Sequence, residues 1–333
     1  MLRKLLKIVG LVLFGLCLVC WLAVNHIASQ IVSPPRRALL DYHHEWLKNP
    51  ADHSIQIESY TLLNGMVPCL VVTPDGNPRL SKRANTVRSQ LAKMGYTLGP
   101  LGEVKGSVVL LHGRKGRKED LLPIAERFCA VGLRCILPDL PAHGESRIET
   151  VHFGSGDGEA DLATRILLET AKRGGFSPHP SAIWGMSMGG AFAASSLSAS
   201  SSKWDCAIIV SSFDDLDEVI RQKSYSKAGV LGLLFSKMLQ HSLQSRHGLD
   251  PTLVRPADWL RASTAPLLVA HGTADPLFPI ARGRVLFDAS SSLEKKWVEV
   301  EGGNHHNVLV TEMPLYATMA AWIIDHLPKS SRS

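Results

Sequence analysis

The residues with the plainest chemical meaning lie in Ala182-Ile183-Trp184-Gly185-Met186-Ser187-Met188-Gly189-Gly190-Ala191. A short apolar strand feeds a tight turn, and the turn feeds a helix of small residues. A serine at such an apex sits in a strained backbone conformation, and side chains on the flanking positions would clash, hence the glycines. The turn lifts the hydroxyl above the carboxyl edge of a sheet, where ligands bind in open α/β folds. It also places that hydroxyl at a helix N-terminus, where developing negative charge is stabilised. The chemistry this serves is nucleophilic attack on a carbonyl carbon, for which a base, an acid and two oxyanion donors are needed.

Candidates for each follow in the chain. Val298-Glu299-Val300-Glu301-Gly302-Gly303-Asn304-His305-His306-Asn307 presents histidine on a glycine-rich loop after a strand. The spacing from Glu301-Gly302 favours His305 over His306 as the base. Leu267-Leu268-Val269-Ala270-His271-Gly272-Thr273-Ala274-Asp275 ends a strand in a loop at the same sheet edge. Asp275 there can fix the tautomer of an imidazole and stabilise its cation; Asp214 and Asp215 are rival acids. In Val108-Val109-Leu110-Leu111-His112-Gly113-Arg114-Lys115-Gly116 the backbone amide of Arg114 is the expected oxyanion donor, paired with that of Met188. His112 and His271 are read as braces for their loops. A His-His pair can also indicate a metal, but no carboxylate cluster accompanies it, so neither metal nor cofactor is expected.

The elements that must position these residues alternate. Ile55–Leu63 and Met66–Thr73 read as strands joined by Asn64-Gly65, a hairpin turn. Residues 75–105 are polar and basic, with a short helix around Ala84–Met94, and are taken as an insertion outside the core. From Gly106, apolar strands at Ser107–Leu111, Arg134–Leu137, Ala182–Trp184, Cys206–Val210, Leu267–Ala270 and Trp297–Val300 alternate with helices at Leu121–Val131 and Glu159–Arg173 and after Ser187. Thr311–Leu327 closes the chain as an amphipathic helix. That rhythm predicts a mostly parallel sheet covered on both faces. Residues 214–264 form too long a connection to be a plain loop, and Gly229–Leu239 is an apolar helical patch within it. They are expected to make a small helical cap lined for an acyl chain. Ser195–Ser202 is low-complexity, read as a helix end and a loop.

From about Gly106 to Leu327 the chain resembles the α/β hydrolases. The order Ser187, Asp275, His305 is theirs, and the pattern is closest to the serine aminopeptidase, monoacylglycerol-lipase and lysophospholipase-like group. Leu137-Pro138-Asp139-Leu140-Pro141-Ala142-His143-Gly144-Glu145-Ser146 is a further hallmark of that group, with Asp139 and His143 read as structural. The resemblance implies hydrolysis of an ester, thioester or amide. A carboxylic ester, with lipid-like esters among the candidates, is the primary reading. A peptide N-terminus is the alternative, and a non-catalytic scaffold is a third. The chain departs from the group in Arg114-Lys115-Gly116-Arg117-Lys118, a basic run that either attracts an anionic substrate or is merely solvated.

The 333 residues, 45% hydrophobic and 20% charged, suffice for one large core, expected over residues 36–333. The net charge of +6 is spread over clusters without interleaved aromatics, which argues against nucleic acid as a partner. Residues 1–35 stand apart. Arg3, Lys4 and Lys7 precede an apolar run from Ile8 to Ala28, long enough to cross a bilayer, and Pro34-Pro35 ends it. A signal peptide and an uncleaved anchor both fit. The length of the run and the absence of small residues at a cleavage spacing favour the anchor. The leading charges place the N-terminus in the cytoplasm and the hydrolase domain on the extracytoplasmic side, although Arg36 and Arg37 oppose that bias. Cys69, Cys129, Cys135 and Cys206 sit in apolar runs as buried thiols and do not settle the redox compartment.

Overall fold

The computed structural model describes residues 2–199, 203–311 and 313–328. Eight strands form one sheet in the order β1-β2-β4-β3-β5-β6-β7-β8. They are β1 (Ile55–Leu62), β2 (Val67–Pro74), β3 (Gly106–Leu111), β4 (Leu133–Pro138), β5 (Ser181–Met186), β6 (Cys206–Val210), β7 (Leu267–Gly272) and β8 (Lys295–Val300). β2 runs antiparallel to both β1 and β4, and every pairing from β4 through β8 is parallel. Asn64 and Gly65 lie in the loop of the β1–β2 hairpin at φ 57° and 83°, a region suited to these residue types.

The continuous apolar strands are buried on both faces, as parallel strands must be. Side chains alternate between two cores with the two-residue period of a strand. Val109, Leu111, Ile183, Ala207, Ile209 and Val269 face one cluster. Val108, Leu110, Ala182, Trp184, Ile208 and Ala270 face the other.

Helices cover both faces. α1 (Leu2–Val32) and α2 (Asp41–Lys48) precede the sheet, and α3 (Lys82–Lys93) follows β2. The core has α4 (Leu122–Cys129), α5 (Leu162–Gly174), α6 (Met188–Ser198), α7 (Leu216–His247), α8 (Pro256–Arg261), α9 (Ile280–Ala289) and α10 (Leu315–His326). α3, α4 and α10 pack on one side; α5, α6 and α7 pack on the other, joined by the end of α1.

Several details differ from expectation. α3 seats Ala84, Val87 and Leu91 in the core; three apolar residues at helical spacing suffice to bury one face of an otherwise basic helix. α2, α8 and α9 carry no strong apolar rhythm that would mark them in the sequence. The α6 helix ends at Ser198, and residues 200–202 and Glu312 lie outside the described residues. Cys69, Cys129, Cys135 and Cys206 are buried free thiols.

α1 is long and apolar enough to cross a membrane. Its apolar surface is exposed over most of its length, but the helix continues past Ala28 and its last turns dock on the domain. Val24, Ala28 and Val32, one face at i, i+4, i+8, are buried in the core. Ser242 on α7 donates to Asn25, and the Val151 amide donates to the Val32 carbonyl.

Candidate active site

Ser187 stands between β5 and α6 at φ 57°, ψ −120°, a conformation unfavourable for a residue with a Cβ. The strand–turn–helix geometry forces it there and leaves no space around it. A Cβ on Gly185 would lie 2.1 Å from the Gly189 carbonyl oxygen, and one on Gly189 2.1 Å from the Leu111 carbonyl oxygen. The Ser187 amide donates to the Val210 carbonyl, and the Ser212 hydroxyl donates to the Ser187 carbonyl at 2.7 Å. Backbone strain is thus held from both sides.

The loop after β8 places His305 Nε2 3.0 Å from Ser187 Oγ, and His305 Nδ1 lies 2.8 Å from Asp275 Oδ2 on the loop after β7. All three side chains are buried. The other Asp275 oxygen accepts from the amides of Leu277 and Phe278. Burial pushes this carboxyl up, but the hydrogen bonds from His305 and from the two amides outweigh it and hold it below the usual carboxylate range. Asp275 therefore stays ionised, with one oxygen committed to the loop and the other to the imidazole.

The competing residues are occupied elsewhere. Asp214 is paired with Arg282 at 2.7 Å, and Asp215 caps α7 by accepting from the Glu218 amide. His306 points outward. His271 donates from Nε2 to the Phe278 carbonyl and thereby braces the Asp275 loop. His112 accepts from the Leu140 amide and donates to the Gly113 carbonyl. Burial lowers its pKa to about 4, so it is a neutral brace. Gly113 lies against Ser187, where a Cβ would touch Ser187 Cβ at 3.4 Å. Neither the Arg114 amide nor that of Met188 has an acceptor among the described residues.

The basic run has a third explanation that its sequence did not offer. Lys118 is buried, and its ammonium contacts Asp139 and Glu119 at 2.9 Å and Glu145 at 2.6 Å. Arg117 is buried against Glu119. Asp139 also accepts from the amides of Lys118 and Glu145, tying the loop after β3 to the loop after β4. The Arg114 guanidinium donates to the Gln30 carbonyl of α1. Only Lys115 and the outer part of Arg114 remain open to solvent, so the run is chiefly a structural clamp.

Ser212 and Phe278 were not identified from sequence. Phe278 meets the His305 ring edge-on, with centroids 5.1 Å apart, a favoured aromatic arrangement. A serine and a phenylalanine of ordinary type carry no spacing signal by which to find them. Among the described residues, no group of three or more His, Cys, Asp or Glu side chains is gathered as a metal site would need.

The alpha/beta hydrolase family profile matches residues 108–321. The chain belongs to this family. It is similar to a monoacylglycerol lipase of Mycolicibacterium smegmatis, with 25% identity over 262 residues, covering 68% of this chain and 91% of the relative. An esterase of Pyrococcus furiosus has the same fold, with a TM-score of 0.59 at 14% identity over 89% of this chain and 98% of that one. A thermophilic esterase of Thermogutta terrifontis follows with a TM-score of 0.53 at 19% identity, over 84% of this chain and 95% of its own.

Proposed function

We propose that this α/β hydrolase is a membrane-anchored serine esterase that cleaves carboxylic esters of lipid-like substrates. The observation that carries the reading is the unbroken hydrogen-bond relay from Ser187 through His305 to Asp275, at 3.0 and 2.8 Å. In the first step His305 Nε2 takes the hydroxyl proton as Ser187 Oγ bonds to the carbonyl carbon. The imidazolium, stabilised by Asp275, returns that proton to the leaving oxygen, and the alcohol departs. Water, deprotonated by the same nitrogen, then attacks the acyl-enzyme and releases the carboxylic acid. The amides of Arg114 and Met188 hold the oxyanion in both steps.

The ester reading is supported by the kinship with a monoacylglycerol lipase and by the surroundings of α7. The cavity beside it contains lysines and no carboxylate, whereas an aminopeptidase needs a negative group to hold a substrate ammonium. Residues 214–264 serve as the cap. α1 serves as an uncleaved anchor, because its last turns are part of the core and removing them would expose it. The charges at Arg3, Lys4 and Lys7 put the hydrolase domain on the extracytoplasmic side.

The test is labelling by a fluorophosphonate. The wild-type chain is expected to react at Ser187, and Ser187→Ala to lose the label and turnover by about 10⁴–10⁶ while remaining folded. Undiminished labelling of that variant would remove Ser187 from the mechanism.

A further inference from the structure

A cavity of about 690 Å³ lies between α1 and α7, within the size range of small-molecule sites. Its walls are apolar, with Ile27 and Ile31 on α1 facing Leu231, Leu234, Phe235 and Met238 on α7. Two features connect its inner end to the site. Ile31 adjoins Gln30, whose carbonyl holds the Arg114 side chain. Ile220 and Leu239, also in the lining, lie in the same sheet-face core as Phe213 and Phe278, the latter packed against His305.

The outer end has a different character. It reaches Cys20, on the part of α1 whose apolar side chains are exposed. Beside it the chain breaks at Gly229 (φ 55°), dividing α7 into two arms. Past that break Val230, Leu231 and Leu234 are 77%, 75% and 61% exposed. A contiguous apolar edge of this kind marks a contact surface, and the helix alongside it identifies the contact as the bilayer that α1 would cross. From Cys20 to Ile31 the groove follows α1 for about 16 Å at 1.5 Å per residue, the scale of a long acyl chain. Lys227 at the rim can extend its ammonium to the headgroup layer while its stem stays on apolar surface.

We propose that α1 is one wall of the acyl-binding site, and that a long-chain acyl ester enters the groove sideways from the bilayer that holds the helix. The proposal rests on the esterase reading above and adds the occupant and its source. The lipid headgroup stays at the membrane surface, the chain lies between α1 and α7, and the ester carbonyl reaches Ser187.

The test uses the full chain in phosphatidylcholine vesicles, with p-nitrophenyl palmitate and p-nitrophenyl butyrate as substrates. Filling the groove by Ile27→Trp or Leu234→Trp is expected to lower the palmitate-to-butyrate ratio of kcat/KM by about tenfold, as removal of a few apolar contacts does. Val12→Trp, on α1 but away from the groove, should leave that ratio where it is. A long-chain alkyl phosphonate with a diazirine at its tail, bound to Ser187, should crosslink to peptides within 20–31 or 228–239. Labelled Ser187 with an unchanged ratio, or with crosslinks only elsewhere, overturns the groove and leaves the esterase reading standing. A wild-type chain whose Ser187 accepts no phosphonate overturns both. A groove variant that alters the oligomeric state and not the ratio assigns the groove to a second copy of the chain and overturns the proposal.

Discussion

His305 and His306 are neighbours in sequence and have opposite surroundings, one buried between Ser187 and Asp275 and the other exposed. His305→Ala is expected to lower turnover by several orders of magnitude, in line with other triads, and His306→Ala by less than about threefold, because exposed side chains off the site contribute little. Equal losses in a p-nitrophenyl ester assay would put the base elsewhere. The neutral brace His112 gives a prediction in pH. Its folded pKa of about 4 lies below the ordinary 6.5, so between those values the unfolded chain binds a proton that the folded chain refuses. Stability from this residue is complete above about pH 6.5 and falls as the pH drops towards 4, by about 3 kcal/mol at 1.36 kcal/mol per unit. His112→Asn should flatten the pH dependence of the urea midpoint over that window; an unchanged slope would mean the buried ring is not what resists protonation.

Elements set how much of this was legible. The strands were, since β3, β5, β6 and β7 are uninterrupted apolar runs, and a parallel sheet buried on both faces has no other way to be written. Ser187 and Asp275 follow two such strands, β5 and β7, and His305 follows the more polar β8, so the strand ends placed the candidates. Recognition of α9 failed because its face toward the core includes Arg282 and Gly283 and breaks the apolar rhythm. In the clamp, Lys118 reads as surface in the sequence because its partners Asp139 and Glu145 are distant in the chain and show only in three dimensions. That clamp is testable. Lys118→Met leaves Asp139 buried without its cation, and the loss should be about 3–5 kcal/mol in chemical unfolding. At the elbow, Gly185→Ala forces a Cβ against the Gly189 carbonyl. It should remove phosphonate labelling even where circular dichroism still shows a folded sheet.

At the scale of the whole molecule, the long apolar α1 is joined to the hydrolase domain through a shared core face. Val24, Ala28 and Val32 are shared by both. A chain beginning at residue 21 keeps that face and is expected to fold, whereas one beginning at residue 36 forfeits burial worth on the order of 5 kcal/mol. Comparing their thermal midpoints in detergent decides it, and equal midpoints would make the docking incidental. The contact between Arg114 and Gln30 gives this joint a mechanical meaning. A helix that spans a bilayer tilts or shifts when the hydrocarbon thickness does not match its apolar length. Here the docked end of α1 is tied to the side chain of Arg114, the residue whose amide is proposed to hold the oxyanion. With α1 spanning a bilayer as proposed, thickness would become a control input to the reaction: turnover of one ester should vary across vesicles of graded lipid chain length, while Arg114→Ala should lose that dependence.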